Sequence, residues 1–223
     1  SGSFGACLMK QPPLVAECVS ALKSASPLPV TVKHRTGVDQ QEDYDAFAGF
    51  AAAQVEAGAA ALIVHARNAW LQGLSPKQNR EIPPLKYDWV YRLKQDFPDQ
   101  QIIVNGGIRT LDACLEHLRQ VDGVMLGREP YNNPYLLHDV DRVVFGCRQS
   151  AAPGRRELLQ RYYPYIEQQL ELGIPLMRVA RHLLGLFNGQ PNARRWRRYL
   201  SENACRRDAG IEVLERAAQL LDG

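Results

Sequence analysis

The chain has 223 residues, 45% of them apolar and 23% charged, with a formal net charge of +3; this is a globular composition with length for one large domain or a large and a small one. Five widely spaced cysteines without a Cys-x-x-Cys pair argue against a disulfide framework or a zinc site. No run approaches the ~18 apolar residues of a membrane span, and no basic segment leads into an apolar one at the start, so a cytoplasmic protein that binds neither metal nor membrane is expected.

Ser1 to Met9 read as a loop with no strand before it, and residues 12–24 as a helix opened by Pro12 and Pro13 with Leu14, Val15, Cys18 and Leu22 on one face. Pro29 to Arg35 is a β-branched run that ends in Lys33, His34 and Arg35. An acidic helix start near Asp39–Asp43 follows, with Ala46, Phe47, Phe50, Ala51 and Val55 as its apolar stripe and Gly58 as its stop. Ala60 to Arg67 is a second apolar strand, again finishing in a histidine and an arginine. Asn68 to Lys86 is a long basic loop, and connections of that length inside a domain are usually functional. A helix over 87–96, a strand over 101–104, a helix over Leu111–Arg119 and a strand over 123–126 complete the pattern.

Four continuous apolar strands alternating with helices call for a parallel sheet covered on both faces, or a barrel. Because the polar residues and glycines gather at the carboxyl ends of all four, the expected fold is α/β of the (β/α)8 type, with its active face there. Only four units are present, so the chain is expected to supply the C-terminal half of such a barrel over residues 1–146. A linker at 147–154 and a helical domain at 155–223 follow, with helices expected over Arg155–Leu172, Pro175–Phe187, Ala193–Ala204 and Ile211–Leu221.

Lys33 and His65, at equivalent strand ends, could hold a polar heterocycle, although a lone lysine at a strand end is more often simply solvated. Asn105-Gly106-Gly107 and Gly127-Arg128 repeat one scheme after the third and fourth strands, an apolar run and then bare backbone N–H groups, which suits a phosphate. A tight turn is the bland alternative for the glycine pair. The convergence of all these residues on one face of four successive units favours a ligand. Cys7 has no base or cation nearby in sequence to activate it and reads as a buried packing residue.

Charge is uneven along the chain. Residues 1–150 hold 15 Lys+Arg against 16 Asp+Glu, whereas residues 151–223 hold 12 against 8, and every one of those cations is arginine. Residues 191–207 alone carry six arginines and the single Glu202. Arginine suits bidentate phosphate contacts, and Trp196 and Tyr199 interleave the run Arg194-Arg195-Trp196-Arg197-Arg198-Tyr199. A solvated face is the ordinary alternative; a nucleic-acid contact is favoured.

Val32-Lys33-His34-Arg35, Ile63-Val64-His65-Ala66-Arg67, Val104-Asn105-Gly106-Gly107-Ile108 and Met125-Leu126-Gly127-Arg128 resemble, in order and spacing, the flavin-binding blocks of the tRNA-dihydrouridine synthases. The loop from Ala69 to Leu85 resembles that of the A subfamily, which acts at D-loop positions 20 and 20a. The resemblance implies an FMN-dependent barrel with a C-terminal helical tRNA-binding domain, a monomer at full length, reducing uridine with NADPH. It also implies Lys33 and His65 against the isoalloxazine and ribityl region, and Asn105, Gly106, Gly107, Gly127 and Arg128 around the phosphate. Lys77, Arg80, Arg194 and Arg197 would touch tRNA. In the family, hydride passes from the flavin to C6 of a flipped uridine and a cysteine protonates C5. That cysteine belongs to an Asn-x-Gly-Cys-Pro motif upstream of the segment matching Ser1–Met9, so no catalytic residue is assigned within this chain and the 223 residues alone are expected to be inactive. A non-catalytic tRNA- or RNA-binding piece and a different FMN-dependent barrel oxidoreductase are the competing readings.

Overall fold

The computed structural model describes residues 4–147 and 153–222, which fall into two compact units, Ser1–Gly127 and Arg128–Gly223.

In the first unit, a 3-10 helix over Gly5–Lys10 stands where a loop was expected, and its N-terminal neighbours 1–3 lie outside the described residues. Helix α1, Pro12–Ala25, opens on its two prolines, whose missing N–H groups cost nothing at a helix start. Strand β1 is Thr31–Arg35 and helix α2 is Tyr44–Glu56, capped by the Asp43 carboxylate accepting from the Asp45 N–H. Gly58, at φ +89°, turns the chain out of α2. Strand β2 (Ala61–His65), helix α3 (Tyr87–Asp96), strand β3 (Gln101–Asn105), helix α4 (Leu111–Leu118) and strand β4 (Gly123–Met125) follow.

The four strands form one parallel sheet in the order β1-β2-β3-β4. The layout, strands alternating with helices in one direction around the sheet, is that of part of a (β/α) barrel. On one face Val32, Leu62, Val64, Ile102 and Val104 pack against Phe47, Phe50 and Ala51 of α2, Val90 and Leu93 of α3 and Cys114 of α4. On the other, Lys33 is exposed and Ile63, Ile103 and Asn105 are half-buried. The apolar runs therefore conceal an alternation in β1 and β3, because the helices of this unit cover one side of the sheet.

The second unit begins with helix α5 (Arg128–Asn132), a 3-10 helix over Pro134–Asp139 and helix α6 (Val140–Val143). Helices α7 (Arg155–Glu171), α8 (Leu176–Ala180), α9 (Ala193–Asn203) and α10 (Ile211–Gln219) complete it. Leu159, Ile166, Leu176, Phe187, Trp196, Leu200 and Leu214 form its core. The division after Gly127 differs from the boundary expected at 146, and the packing shows why. The Arg155 guanidinium lies 3.9 Å over the Tyr135 ring, and a side chain at Gly185 would collide with the Asn132 carbonyl oxygen, so segment 128–146 packs against the helices of the second unit. Of the expected linker 147–154, residues 148–152 lie outside the described residues. The helix expected over 175–187 stops at Ala180 and continues as turns, which bring Gly185 against Asn132.

Candidate cofactor and nucleic-acid sites

Register decides which strand-end residues stand side by side. Arg35, His65, Asn105 and Met125 form one row across the sheet, and Lys33, Ile63, Ile103 and Gly123, two residues earlier, form the next row on the same face. His65 is thus level with Arg35; the equivalence expected between His65 and Lys33 is corrected by one pleat. Lys33 nevertheless reaches the upper row, since its ammonium donates to Asn105 Oδ1 at 3.0 Å. The Asn105 amide nitrogen donates in turn to the Met125 carbonyl at 2.7 Å. One amide therefore ties a cation on β1 to the backbone of β4 and leaves its own polar atoms occupied. Burial, and then the charge of Arg35, hold the Lys33 ammonium below the ordinary lysine range.

The two glycines after β3 sit at φ +113° and +72°. A Cβ on Gly106 would lie 2.5 Å from His65 Cδ2, and one on Gly107 would lie 3.0 Å from the Tyr87 hydroxyl and 2.9 Å from Leu85. The pair is required first by the protein's own side chains, with His65 seated directly on Gly106. Tyr87 donates its hydroxyl to the Gly106 carbonyl at 2.5 Å. Gly127 differs, because its Cβ position has no heavy atom within 4 Å and its backbone is open. Arg128, the next residue, is exposed and opens α5 in the second unit.

Arg35 was visible in the sequence as part of a basic strand end but not as a site residue. Its guanidinium donates to the carbonyls of Asn79 at 3.0 Å and Asn68 at 3.4 Å. Burial and the neighbouring charges of Arg67 and Arg80 depress its pKa. These contacts of Lys33 and Arg35, to an amide oxygen and to two carbonyls, do not neutralise their positive charge.

The long loop is held in a single shape. Asn79 accepts from the Trp70 N–H at 2.9 Å and donates back to the Trp70 carbonyl. Asp39 accepts from Leu71 N–H at 2.9 Å, and the Asn68 amide donates to the Gln41 carbonyl at 2.8 Å. Lys77 and Arg80, on and beside the 3-10 turn Gln78–Arg80, are exposed at its tip.

In the second unit, Arg194 and Arg195 are exposed on α9 and Arg197 is half-buried. Trp196 points the other way: it is fully buried, edge-on to Phe187 at 4.8 Å, with its indole N–H on the Leu183 carbonyl at 3.3 Å. The interleaved tryptophan is a core residue. Arg198 is paired with Glu202 at 2.8 Å.

Cys7 is half-buried, with its thiol on the Phe4 carbonyl at 3.0 Å, so the expected buried packing role is corrected. Cys114 is buried, and burial raises its pKa. Among the described residues no cluster of three or more His, Cys, Asp and Glu is arranged to hold a metal, and no helix is long and apolar enough to cross a membrane.

Four parallel strands alternating with helices, followed by a helical unit, define the class: part of a (β/α) barrel. The chain belongs to the dihydrouridine synthase family, which matches residues 1–221. It is 54% identical over 222 residues to the tRNA-dihydrouridine(20/20a) synthase of Xanthomonas campestris, covering 100% of this chain and 65% of that one. It is 52% identical over 219 residues to that of Shewanella oneidensis, covering 98% and 65%. The synthase of Synechocystis is 51% identical over 219 residues, again covering 98% and 65%. The chain thus spans about 65% of the length of these relatives.

Proposed function

We infer that this chain contributes the flavin-holding rim and a tRNA-holding helical unit to a tRNA-dihydrouridine synthase acting on D-loop uridines 20 and 20a. The observation that carries this reading is the bridge Lys33–Asn105–Met125, which gathers a cation, an amide and backbone from three strands at one rim beside Arg35 and His65. The donor set suits FMN: cations on neutral partners for the phosphate and ring oxygens, an imidazole on the rim, and open backbone at Gly127. Lys33 and His65 would hold the ring and ribityl region, while Gly106, Gly107, Gly127 and Arg128 would hold the phosphate. Asn105 would act through Lys33, whose orientation it fixes. Bound FMN supplies hydride transfer to the uracil, with NADPH as the reductant. Lys77 and Arg80 at the loop tip and Arg194 and Arg197 on α9 would meet the tRNA backbone, and a tRNA substrate places the enzyme in the cytoplasm.

No Asn-x-Gly-Cys-Pro run, the motif that carries the family's proton donor, occurs in the 223 residues. The 223-residue polypeptide assayed by itself is therefore expected to form no dihydrouridine. The test of the flavin reading is absorbance and flavin release from the natural full-length protein, beside a Lys33→Ala variant. Flavin present in the first and depleted in the second is the expected result, and equal flavin in both would refute the assignment of Lys33.

A further inference from the structure

We propose that Tyr87 is a positioning residue for the phosphate end of the flavin: its hydroxyl holds the Gly106–Gly107 peptide in the one orientation that presents an N–H to an anion. This rests on the FMN reading above and adds to it a residue that does not touch the cofactor. Glycines at φ +113° and +72° leave the peptide between them free to exist in either of two flipped orientations, because no Cβ penalises either one. The peptide is planar and trans, so the Gly106 carbonyl and the Gly107 N–H point in opposite directions. With the carbonyl bonded to the Tyr87 hydroxyl at 2.5 Å, the N–H is aimed away from α3. In the flipped state a carbonyl oxygen would face the phosphate and repel it.

Tyr87 follows an anchored residue and packs against a held ring. The Lys86 N–H donates to the Ala66 carbonyl at 2.8 Å, which anchors the start of α3 to the end of β2. The Lys86 ammonium meets Glu42 at 2.5 Å and lies 4.0 Å over the Trp89 ring. The Tyr87 ring stands edge-on to His117 at 4.4 Å, and His117 is held by the Tyr91 hydroxyl at 2.7 Å. A hydroxyl placed this firmly selects one peptide orientation, whereas a loose one would follow the loop.

The test is Tyr87→Phe, which keeps the ring on His117 and deletes only the hydroxyl, made in the natural full-length protein stripped of flavin. FMN and riboflavin are each titrated into wild type and variant and followed by flavin fluorescence. Wild type is expected to bind FMN far more tightly than riboflavin. In the variant the FMN dissociation constant should rise roughly tenfold, the loss of about one charge-assisted hydrogen bond, while that for riboflavin stays within about twofold. A purely structural role would weaken both flavins by the same factor. That outcome, or no change in either, overturns the proposal. Failure of the FMN reading itself would show in the wild-type arm alone, as equal affinity for the two flavins.

Discussion

Single residues carry the sharpest consequences. Asn105 uses both ends of its amide inside the protein, so Asn105→Ala should free Lys33 and weaken flavin binding by roughly tenfold to a hundredfold, as loss of a hydrogen bond to a charged group does. A flavin dissociation constant within twofold of wild type would show that Lys33 needs no such orientation. On α9, Arg194 and Trp196 are two positions apart and face opposite environments. Arg194→Gln should lower the salt slope of tRNA binding by about 0.9 and leave stability unchanged. Trp196→Ala should instead cost about 3–5 kcal/mol in unfolding of the second unit. Equal effects of the two on the salt slope would mean that the tryptophan meets RNA after all. His34 gives a pH signature. It is buried, its Nδ1 lies 2.8 Å from the Arg35 carbonyl, and burial pushes its pKa down to about 4 from 6.5. A histidine kept neutral when folded contributes its full stability above pH 6.5 and loses it progressively as pH falls towards 4. That loss is on the order of 3 kcal/mol. Chemical unfolding of the first unit at several pH values should show this slope, and His34→Asn should flatten it. Asp39 and Asp122, whose pKa values lie below the ordinary 3.8, lose their contributions only at lower pH.

Elements show what sequence can and cannot reveal. The order of strands and helices in the first unit was legible because apolar runs, Pro12–Pro13, the Asp43 cap and Gly58 are local signals. The row of the sheet on which each residue stands was not, since register is set by pairing across strands; Lys33 and His65 looked equivalent and are one pleat apart. The two kinds of glycine were also indistinguishable in sequence. Gly106 has His65 against it and a positive φ, whereas Gly127 has open space. Gly106→Ala should therefore destabilise the first unit by about 1–3 kcal/mol, and Gly127→Ala should leave its unfolding midpoint essentially unchanged. The reverse order would contradict the packing described. Helix α8 was expected to run to Phe187 but ends at Ala180, because the requirement for Gly185 comes from Asn132, far away in sequence.

At the scale of the whole molecule, two units with different chemistry share one chain. The first sets cations and glycines at strand ends, where the architecture gathers ligands. The second turns apolar residues inward and leaves arginines outward on α9. The boundary after Gly127 was not legible, because segment 128–146 has no strong periodicity of its own and packs on the helical unit through Tyr135 and Asn132. Membership of the dihydrouridine synthase family covers both units, since the family match runs over residues 1–221. The central claim is tested most directly by incubating the natural full-length, flavin-loaded protein with NADPH and unmodified tRNA, then locating dihydrouridine by mass spectrometry of the digested RNA. Gain of two hydrogens at uridine 20 or 20a, lost in Lys33→Ala, is the predicted result. A loaded enzyme that leaves both uridines unreduced, or reduces only positions elsewhere, would contradict it.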